Sequence, residues 1–182
     1  MTKELVERAM GGDREAFGAL VTRSLPRLVG IAGLILRRHD AAEDAAQEAV
    51  VRAWRDLPSL REPERFDAWL YRLLIRACHD QRRREARGSD TTTRSDPPAR
   101  AVPDHATAFA DRDAIEAGLR RLTVDQRTVI VLRYYLQLSH PEIALAAQIP
   151  VGTVKSRINR ALNALQAALA ADARGLTPER PA

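Results

Sequence analysis

The chain has 182 residues, of which 45% are hydrophobic and 29% charged, and its formal net charge at pH 7 is +5. This length and composition suffice for one ordinary domain or two small domains with hydrophobic cores. The single cysteine excludes an internal disulfide, and the four histidines are too scattered to predict a metal site, so we expect no cofactor. The basic balance favours a polyanionic partner, although an acidic protein partner or a need for solubility would give the same charge.

The N-terminal segment favours a cytoplasmic protein. Residues 1–10 alternate acids and bases and lack the apolar centre of a secretory signal. No run of residues approaches the roughly 20 apolar positions that a membrane-spanning helix requires. We therefore expect cytoplasmic localisation and no insertion into a membrane.

The first half of the chain carries the start and stop signals of three helices. Asp13 can cap a helix that runs to about Arg37, and Asp40 with Glu43 can open the second helix. The prolines that separate the second helix from the third are Pro58 and Pro63.

The second of these helices divides sharply into an apolar side and an acidic side. The apolar side is rich in alanine, and the opposite side carries Asp40, Asp44, Gln47, Glu48 and Arg55. A solvated face with acids near the helix N-terminus would give this pattern, because carboxylates are favourable there. The alternative is a docking surface for a basic partner.

The third helix has the opposite charge. Arg72, Arg76, His79 and Arg83 recur at helical spacing, and Trp69 lies at the edge of the face that they form. Cations that follow a phosphate backbone beside an aromatic ring are typical of proteins that bind single-stranded or partly opened DNA. An ordinary core position is the alternative for Trp69.

A change of composition separates two helical halves. Residues 86–104, ARGSDTTTRSDPPARAVPD, contain almost no large apolar residue, which predicts a flexible linker. Both sides lack the long alternating pattern of strands. We therefore predict an all-α fold of two small helical domains. The expected boundaries are a first domain at 1–85, a linker at 86–106, a second domain at 107–172 and a short tail at 173–182.

The second half predicts four helices, the last two of which form a helix-turn-helix. The first of the four covers roughly Ala108 to Arg121. Thr123 with Gln126 forms a capping box for the next helix, which runs to about Tyr135.

The segment from Leu138 to Leu165 has the pattern of a DNA-reading helix-turn-helix. Ser139 and Glu142 form a capping box for its first helix, Pro150 bars continuation of that helix, and the second helix begins near Val151. One face of the second helix carries Thr153, Ser156, Asn159 and Arg160, flanked by Lys155 and Arg157. Hydroxyls and cations near the start of such a helix can reach base edges and phosphates. An ordinary helical hairpin with a solvated basic face is the alternative.

Together these segments resemble the extracytoplasmic-function (ECF) group of bacterial sigma factors, the small members of the primary sigma family. Region two of that family resembles AFGALVTRSLPRLVGIAGLILRRHDAAEDAAQEAVVRAWRDLP followed by RFDAWLYRLLIRACHDQRRR, and region four resembles GLRRLTVDQRTVIVLRYY through VGTVKSRINRAL. Two motif blocks in this order around a linker are more specific than either block. The resemblance covers nearly the whole chain. It implies a sigma factor that binds core RNA polymerase and directs promoter-specific initiation through −10 and −35 recognition and strand opening.

The resemblance also implies roles for particular residues. Asp44, Gln47 and Glu48 would hold the coiled coil of the largest polymerase subunit. The loop from Leu60 to Phe66 would capture a flipped base of the −10 element. The residues implied at the −10 element are Leu60, Arg61, Phe66, Trp69, Arg72, Arg76, His79 and Arg83. Those implied at the −35 element are Thr153, Lys155, Ser156, Arg157 and Arg160. An anti-sigma factor is a further candidate partner.

The sequence departs from the family pattern at two positions. Arg76 stands where family members often carry Asn, and it continues the basic face. Gln148 stands where they often carry Gly. The turn before Pro150 therefore either avoids a positive φ or accepts modest strain.

Two other functions fit parts of the sequence. A stand-alone helix-turn-helix regulator would use residues 138–165 but leaves the acidic and basic helices of the first half unexplained. A nucleic-acid-processing enzyme is disfavoured because the sequence has no phosphate-binding glycine loop, metal-ligand spacing or nucleophile with a base partner, so we expect no catalytic residue. Binding to core polymerase, rather than to duplex DNA alone, distinguishes a sigma factor from a regulator.

Overall fold

The computed structural model describes residues 3–88 and 118–175, and these residues form helices joined by turns, with no strand among them. The all-α prediction is therefore confirmed. The helices of the first part are α1 (Lys3–Met10), α2 (Arg14–Leu36), α3 (His39–Asp56) and α4 (Phe66–Gly88), with 3₁₀ turns at Leu57–Ser59 and Pro63–Arg65. Those of the second part are α5 (Val124–Ile130), which continues as a π-helical turn at Val131–Tyr135, α6 (His140–Ala147) and α7 (Val151–Gly175).

The start of α2 follows the sequence prediction, and the start of α3 differs from it. The carboxylate of Asp13 accepts the backbone N–H groups of Glu15 and Ala16, each at 3.0 Å, as a helix N-cap does. In contrast, α3 begins at His39, and the cap position is taken by Arg38, which makes no side-chain capping bond. Asp40 lies in the first turn, where it pairs with the Arg38 guanidinium. The prediction that Asp40 caps this helix is wrong.

The first domain is a bundle in which α3 packs between α2 and α4. Six alanines on the inner side of α3 are buried, and their small side chains let the neighbouring helices approach closely. The buried alanines are Ala41, Ala42, Ala45, Ala46, Ala49 and Ala53. Helix α1, which the sequence analysis did not predict, covers one edge of α2 through Val6 and Ala9.

Helix α2 has the predicted length, and it is more apolar than expected. Its 23 residues have the length and composition that a membrane span also has, contrary to the expectation that no segment would approach it. Nine of its residues, including Leu20, Ile31 and Ile35, are nevertheless buried in the bundle. A core helix and a membrane span satisfy the same criterion of length and composition, and the buried residues place one side of α2 in the core of the bundle.

The second domain contains the predicted capping boxes and helix-turn-helix. The Thr123 N–H donates to Gln126 Oε1 at 2.9 Å, and the Gln126 N–H donates to Thr123 Oγ1 at 3.3 Å, which fixes the start of α5. The Ser139 N–H donates to Glu142 at 2.8 Å at the start of α6. Pro150 separates α6 from α7, as predicted. Residues 86–88 of the predicted linker are the last residues of α4, and the rest of that linker lies outside the described residues. Of the helix predicted from Ala108 to Arg121, only 118–121 are described, and 118–120 are helical.

The two domains pack against each other, with α4 against α6 and α2 against α5. Arg127 of α5 is buried at this junction. Its Nε donates to the carbonyl oxygen of Ile35 in α2 at 2.6 Å, and its Nη1 donates to the carbonyls of Leu122 at 2.7 Å and Leu119 at 3.2 Å. One buried side chain therefore joins the C-terminal end of α2 to the second domain.

Candidate nucleic-acid and polymerase interfaces

The acidic stripe of α3 has an exposed part and a tethered part. Asp44 and Gln47 are exposed, whereas Glu48 is half-buried. Glu48 Oε1 accepts the Nε–H of Arg52 at 2.9 Å, and the same guanidinium donates to Asp80 of α4 at 2.9 Å. Glu48 thus helps to fix α3 on α4, while Asp44 and Gln47 present polar atoms to the surroundings.

Two exposed apolar side chains extend the acidic stripe, and the sequence analysis missed them. Val51 is 62% exposed and Trp54 is 42% exposed, on the same helix as Gln47. The Trp54 ring contacts Phe17 of α2, with 4.8 Å between ring centroids. Their position could have been predicted from helical spacing, because Val51 and Trp54 stand four and seven residues after Gln47 and therefore share its side of the helix. Large exposed apolar groups beside charged ones are typical of protein interfaces.

The apolar residues assigned to the −10 element lie inside the first domain. Leu60, Phe66 and Trp69 are buried, and the rings of Phe66 and Trp69 pack with 5.9 Å between centroids. Trp69 is 7% exposed. It therefore occupies a core position, which was the alternative interpretation of Trp69 from the sequence. Its remaining edge, with Leu60, faces a cavity of about 660 Å³ that also touches Arg61 and Arg72.

This space, which we call the α4–α6 cavity, is bordered on its other side by the second domain. The residues of α6 and its cap that line it are Ser139, Glu142 and Leu145. Arg72 reaches it from α4, and its Nε is buried without a hydrogen-bond partner among the described residues. The cavity therefore combines an apolar wall with cationic side chains.

The basic face of α4 continues into a second space, the interdomain cleft, of about 750 Å³. Arg76, His79 and Arg83 line it from the first domain, and Asp125, Gln148 and Arg157 line it from the second. The structure thus brings three of the four predicted basic residues of α4, Arg76, His79 and Arg83, to one space, whereas Arg72 lines the α4–α6 cavity. The second domain faces both spaces.

Among the described residues, two polar contacts cross the interdomain cleft. Arg76 Nε donates to Gln148 Oε1 at 3.0 Å, and His79 Nδ1 lies 3.6 Å from Asp125 Oδ1. Burial lowers the pKa of His79 below its ordinary value, and the nearby Asp125 carboxylate opposes this effect. Arg83 is exposed and lies 3.8 Å from Asp80 of its own helix.

The residues assigned to the −35 element lie along the N-terminal half of α7. Lys155, Ser156 and Arg160 are exposed, and Thr153 and Arg157 are half-buried. The Ser156 hydroxyl donates to the Thr153 carbonyl at 2.9 Å, so only its acceptor capacity is open to a base. Arg160 Nε bonds to the Ser156 carbonyl at 3.3 Å, which holds its guanidinium along the helix surface.

The turn of the helix-turn-helix places Gln148 in the left-handed region, with φ 54° and ψ 47°. Its N–H donates to the Ala144 carbonyl and closes α6. The turn therefore does not avoid a positive φ. Gln148 accepts the modest strain that this conformation imposes on a residue with a Cβ and that glycine would not have.

The described residues contain neither a cluster of metal-binding side chains nor an exposed thiol. They contain no group of three His, Cys, Asp or Glu side chains that could hold a metal ion. Cys78 is buried in the core, and burial raises the pKa of its thiol to about 12. The thiolate needed for nucleophilic chemistry is therefore scarce at neutral pH.

Comparisons with known proteins agree with this geometry. Residues 20–88 match the sigma-70 region 2 family model, and residues 112–165 match the model of sigma-70 region 4. The chain is 36% identical over 181 residues to the RNA polymerase sigma-H factor of Pseudomonas aeruginosa, covering 92% of this chain and 93% of that protein. It is 33% identical over 178 residues to the ECF RNA polymerase sigma factor SigW of Bacillus subtilis, covering 91% of this chain and 95% of that protein.

Two solved structures are similar to the whole arrangement. CnrH, solved with the cytosolic domain of CnrY, superposes with a TM-score of 0.66 at 30% identity, covering 93% of this chain and 97% of that chain. The sigma factor RpoE of Bartonella quintana, solved with the anti-sigma factor NepR, gives a TM-score of 0.65 at 30% identity, covering 86% of this chain and 98% of that chain.

Proposed function

This chain belongs to the extracytoplasmic-function sigma factors of the sigma-70 family, and we propose that it binds core RNA polymerase and directs it to promoters by reading both a −10 and a −35 element. The observation that carries the proposal is the pairing, within one chain, of the basic face of α4 with the recognition helix α7. A regulator that binds only duplex DNA needs a recognition helix such as α7, but it does not need the basic face of α4.

Core polymerase would bind on the outer side of α3. Asp44 and Gln47 supply exposed polar groups, and Val51 and Trp54 supply exposed apolar area next to them. An apolar centre with charges at its border is the usual anatomy of a protein interface, and the acids select a basic partner. Glu48 contributes chiefly by holding Arg52 and thereby the shape of the surface.

Strand opening would use the α4–α6 cavity and the arginines beside it. A flipped base needs a pocket for its ring and donors for its edge, together with cations for the flanking phosphates. Leu60 and Trp69 give the cavity an apolar wall, and Arg72, which also lines it, brings a guanidinium with hydrogen-bond donors. A volume of about 660 Å³ lies within the range of small-molecule sites.

The −35 element would be read by α7. Arg160 is exposed on the recognition helix and has the donors for a guanine edge, while Lys155 is placed for a phosphate. Thr153 and Ser156 lie between them and offer hydroxyl oxygens. The partly buried Arg157 would serve at the border of the DNA contact.

The same proposal includes the setting in which the protein acts. It works in the cytoplasm as an initiation factor without catalysis of its own, and its domains follow the boundaries 1–85, 86–106, 107–172 and 173–182 predicted from the sequence. An anti-sigma factor is a proposed partner, because the similar RpoE of Bartonella quintana was solved with one.

Run-off transcription with purified core polymerase on a library of randomised promoters tests the function. We expect specific transcripts only when the protein is added, and the selected templates should share two sequence elements at a fixed spacing. Binding to duplex DNA without any effect on core polymerase would identify a stand-alone regulator instead.

A further inference from the structure

Helix α1 packs on the loop to which the proposed function assigns base capture. We call Leu60 to Phe66 the capture loop, which joins the 3₁₀ turn at Leu57–Ser59 to α4. Helix α1 contacts that turn and also the 3₁₀ turn at Pro63–Arg65, which lies within the loop. The helix precedes the segment that matches the region 2 family model. One short helix outside that match therefore supports the segment that has to meet DNA.

A contact between Lys3 and Glu64 joins the first turn of α1 to the capture loop. Lys3 Nζ lies 2.6 Å from Glu64 Oε1 and 3.7 Å from Glu7 Oε1, one turn along its own helix. The hydrogen bond with Glu64 raises the pKa of Lys3 and lowers the pKa of Glu64, so both groups are charged at neutral pH. The shorter distance makes the loop carboxylate the main partner of this ammonium group.

We propose that α1 clamps the capture loop and that Lys3 is a positioning residue for base capture, acting through Glu64. The inference rests on the proposed function in one respect, namely that the loop meets the −10 element. Lys3 itself does not touch the flipped base in this arrangement. It sets the position and the charge of the loop that does.

Buried apolar side chains attach α1 to the start of the loop. Val6 and Ala9 are buried, and they belong to the same hydrophobic core as Leu57 and Leu60. A proline stands at the beginning of each 3₁₀ turn, where its fixed φ restricts the backbone. A loop that is ordered before it binds loses less conformational entropy on binding. Support from α1 therefore favours capture.

Helix α1 is itself fixed to the bundle by Arg8. The Nε and Nη2 groups of Arg8 donate to Asp13 Oδ2 at 2.9 Å and 2.7 Å. The other carboxylate oxygen of Asp13 accepts the backbone N–H groups at the start of α2. One carboxylate thus caps α2 and holds α1, so the position of Lys3 is set relative to the core of the first domain.

The same pairing changes the charge that the loop presents to DNA. The loop carries two carboxylates, Glu62 and Glu64, which repel the phosphates of an approaching strand. Glu62 Oε2 lies 2.7 Å from Arg65 Nε, within the loop. Glu64 takes its cation from α1 instead. Removal of Lys3 therefore loosens the loop and also leaves a carboxylate without its counter-charge beside the DNA.

A double-mutant cycle in the full-length protein tests the proposal. The variants are Lys3→Met, Glu64→Gln and the two together. Glu7→Gln is the matched control, because it removes the other carboxylate near Lys3 and leaves the contact with the loop in place. Urea denaturation establishes that all four variants fold as the wild type does.

Hydrogen exchange followed by mass spectrometry measures the order of the loop in the free protein. The N–H groups of Leu60 and Arg65 donate to the carbonyls of Leu57 and Glu62, each at 3.0 Å, and report on the two turns. We expect faster exchange in this segment for Lys3→Met and Glu64→Gln, and wild-type exchange for Glu7→Gln.

Base capture is measured with core polymerase and two fluorescein-labelled single strands. One strand carries the −10 element selected by run-off transcription, and in the other that element is scrambled. Loss of an exposed ion pair should reduce the ratio of the two affinities by roughly 1.5- to 5-fold in Lys3→Met and in Glu64→Gln. The double variant should lose no more than either single variant, because the two residues act as one contact. Glu7→Gln should keep the wild-type ratio.

Four results would overturn the clamp. Equal loop exchange in Lys3→Met and Glu7→Gln would show that Lys3 does not hold the loop. Faster exchange with an unchanged affinity ratio would show that the position of the loop does not affect capture. An equal loss of affinity for both strands in Lys3→Met would make Lys3 a phosphate contact, and additive losses in the double variant would show that it does not act through Glu64. Failure of the proposed function is seen separately, because the wild-type protein would then give no promoter-specific run-off transcript with core polymerase.

Discussion

Arg127 Nε donates to the carbonyl oxygen of Ile35 at 2.6 Å, across 92 positions of sequence and from one domain to the other. The carbonyl of Ile35 lies near the end of α2, where the last carbonyls of a helix lack partners within the helix. A guanidinium is a suitable partner there because it also complements the negative end of the helix dipole. The cost of burying it is visible in the pKa of Arg127, which burial lowers to about 10.

Replacing Arg127 with methionine should lower the free energy of unfolding by about 1–3 kcal/mol, because three buried carbonyls lose their donor. Urea denaturation followed by circular dichroism measures the change. Arg120→Met is the control, since Arg120 is exposed nearby and surface substitutions usually stay within about 0.5 kcal/mol. Equal stability of the two variants would contradict a structural role for the buried guanidinium.

Asp44→Arg should weaken binding to core polymerase by at least about 1.5 kcal/mol, because it reverses a charge in the proposed interface. Stability should not change, since Asp44 is exposed. Glu48→Arg should reduce both binding and stability, because it also breaks the bond to Arg52. Gln47→Ala should have a smaller effect than either variant.

Fluorescence anisotropy with labelled protein and purified core polymerase measures these affinities. Glu4→Arg makes the same change of charge on α1, outside the proposed interface, and should bind as the wild type does. If Asp44→Arg and Glu4→Arg bound core polymerase equally well, the acidic stripe would be an ordinary solvated face.

Acidification should destabilise the protein through His79. Burial lowers its pKa, so the unfolded chain, in which histidine has its ordinary pKa of about 6.5, binds a proton at a higher pH than the folded protein does. Between the pKa of the folded protein and that of the unfolded chain, the unfolded state therefore binds more protons. As a result, the free energy of unfolding falls as pH decreases below about 6.5. The contribution vanishes at higher pH, where the imidazole is neutral in both states.

Charged groups around His79 modify this behaviour without reversing it. Asp125 and Asp80 raise its pKa, while Arg83 and Arg157 lower it further. Urea denaturation at pH 7.5 and 5.5 should show a smaller pH effect for His79→Gln than for the wild type. His39→Gln changes an exposed histidine on α3 and should retain the full effect. An unchanged pH effect in His79→Gln would assign it to other groups.

Arg160→Ala should relax sequence preference within the −35 element, at a cost of about 1–3 kcal/mol for a good base contact. Lys155→Ala should weaken binding to all sequences alike, because a phosphate contact carries no sequence information. Selection from a randomised −35 library with each variant measures both effects. An unchanged selected sequence with Arg160→Ala would move specificity to Thr153 and Ser156.

Local features of this fold could be predicted from the sequence, and long-range ones could not. The capping boxes at Thr123 and Ser139 each depend on side chains three residues apart, so the sequence contains the whole signal. Trp69 remained ambiguous because its helix is buried on several sides, and periodicity does not distinguish the border of a core from its interior. Asp40 was misassigned because Asp also favours the first turn of a helix, which is where it lies.

The packing of the two domains had no signal in the sequence. Arg127 is one arginine among many, and its acceptor Ile35 contributes a backbone carbonyl, which side-chain patterns do not reveal. Gln148 was noted as unusual for its turn, but its partner Arg76 is 72 positions away. Contacts of this kind depend on the arrangement of the helices, which has to be known first.

Promoter melting tests the central claim most directly, because strand opening separates a sigma factor from a protein that only binds duplex DNA. The measurement is permanganate reactivity of thymines in a promoter selected by run-off transcription, with core polymerase and either wild-type protein or Arg83→Glu. Arg83 is suitable because it is exposed on the basic face of α4 and its ion pair with Asp80 is long, at 3.8 Å, whereas Trp69→Ala would leave a cavity costing about 3–5 kcal/mol. We predict reactive thymines around the −10 element with the wild type, weaker reactivity with Arg83→Glu, and partial rescue of that variant on a template already mismatched there. Equal thymine reactivity with the wild type and with Arg83→Glu on the duplex promoter would contradict the assignment of strand opening to the basic face of α4.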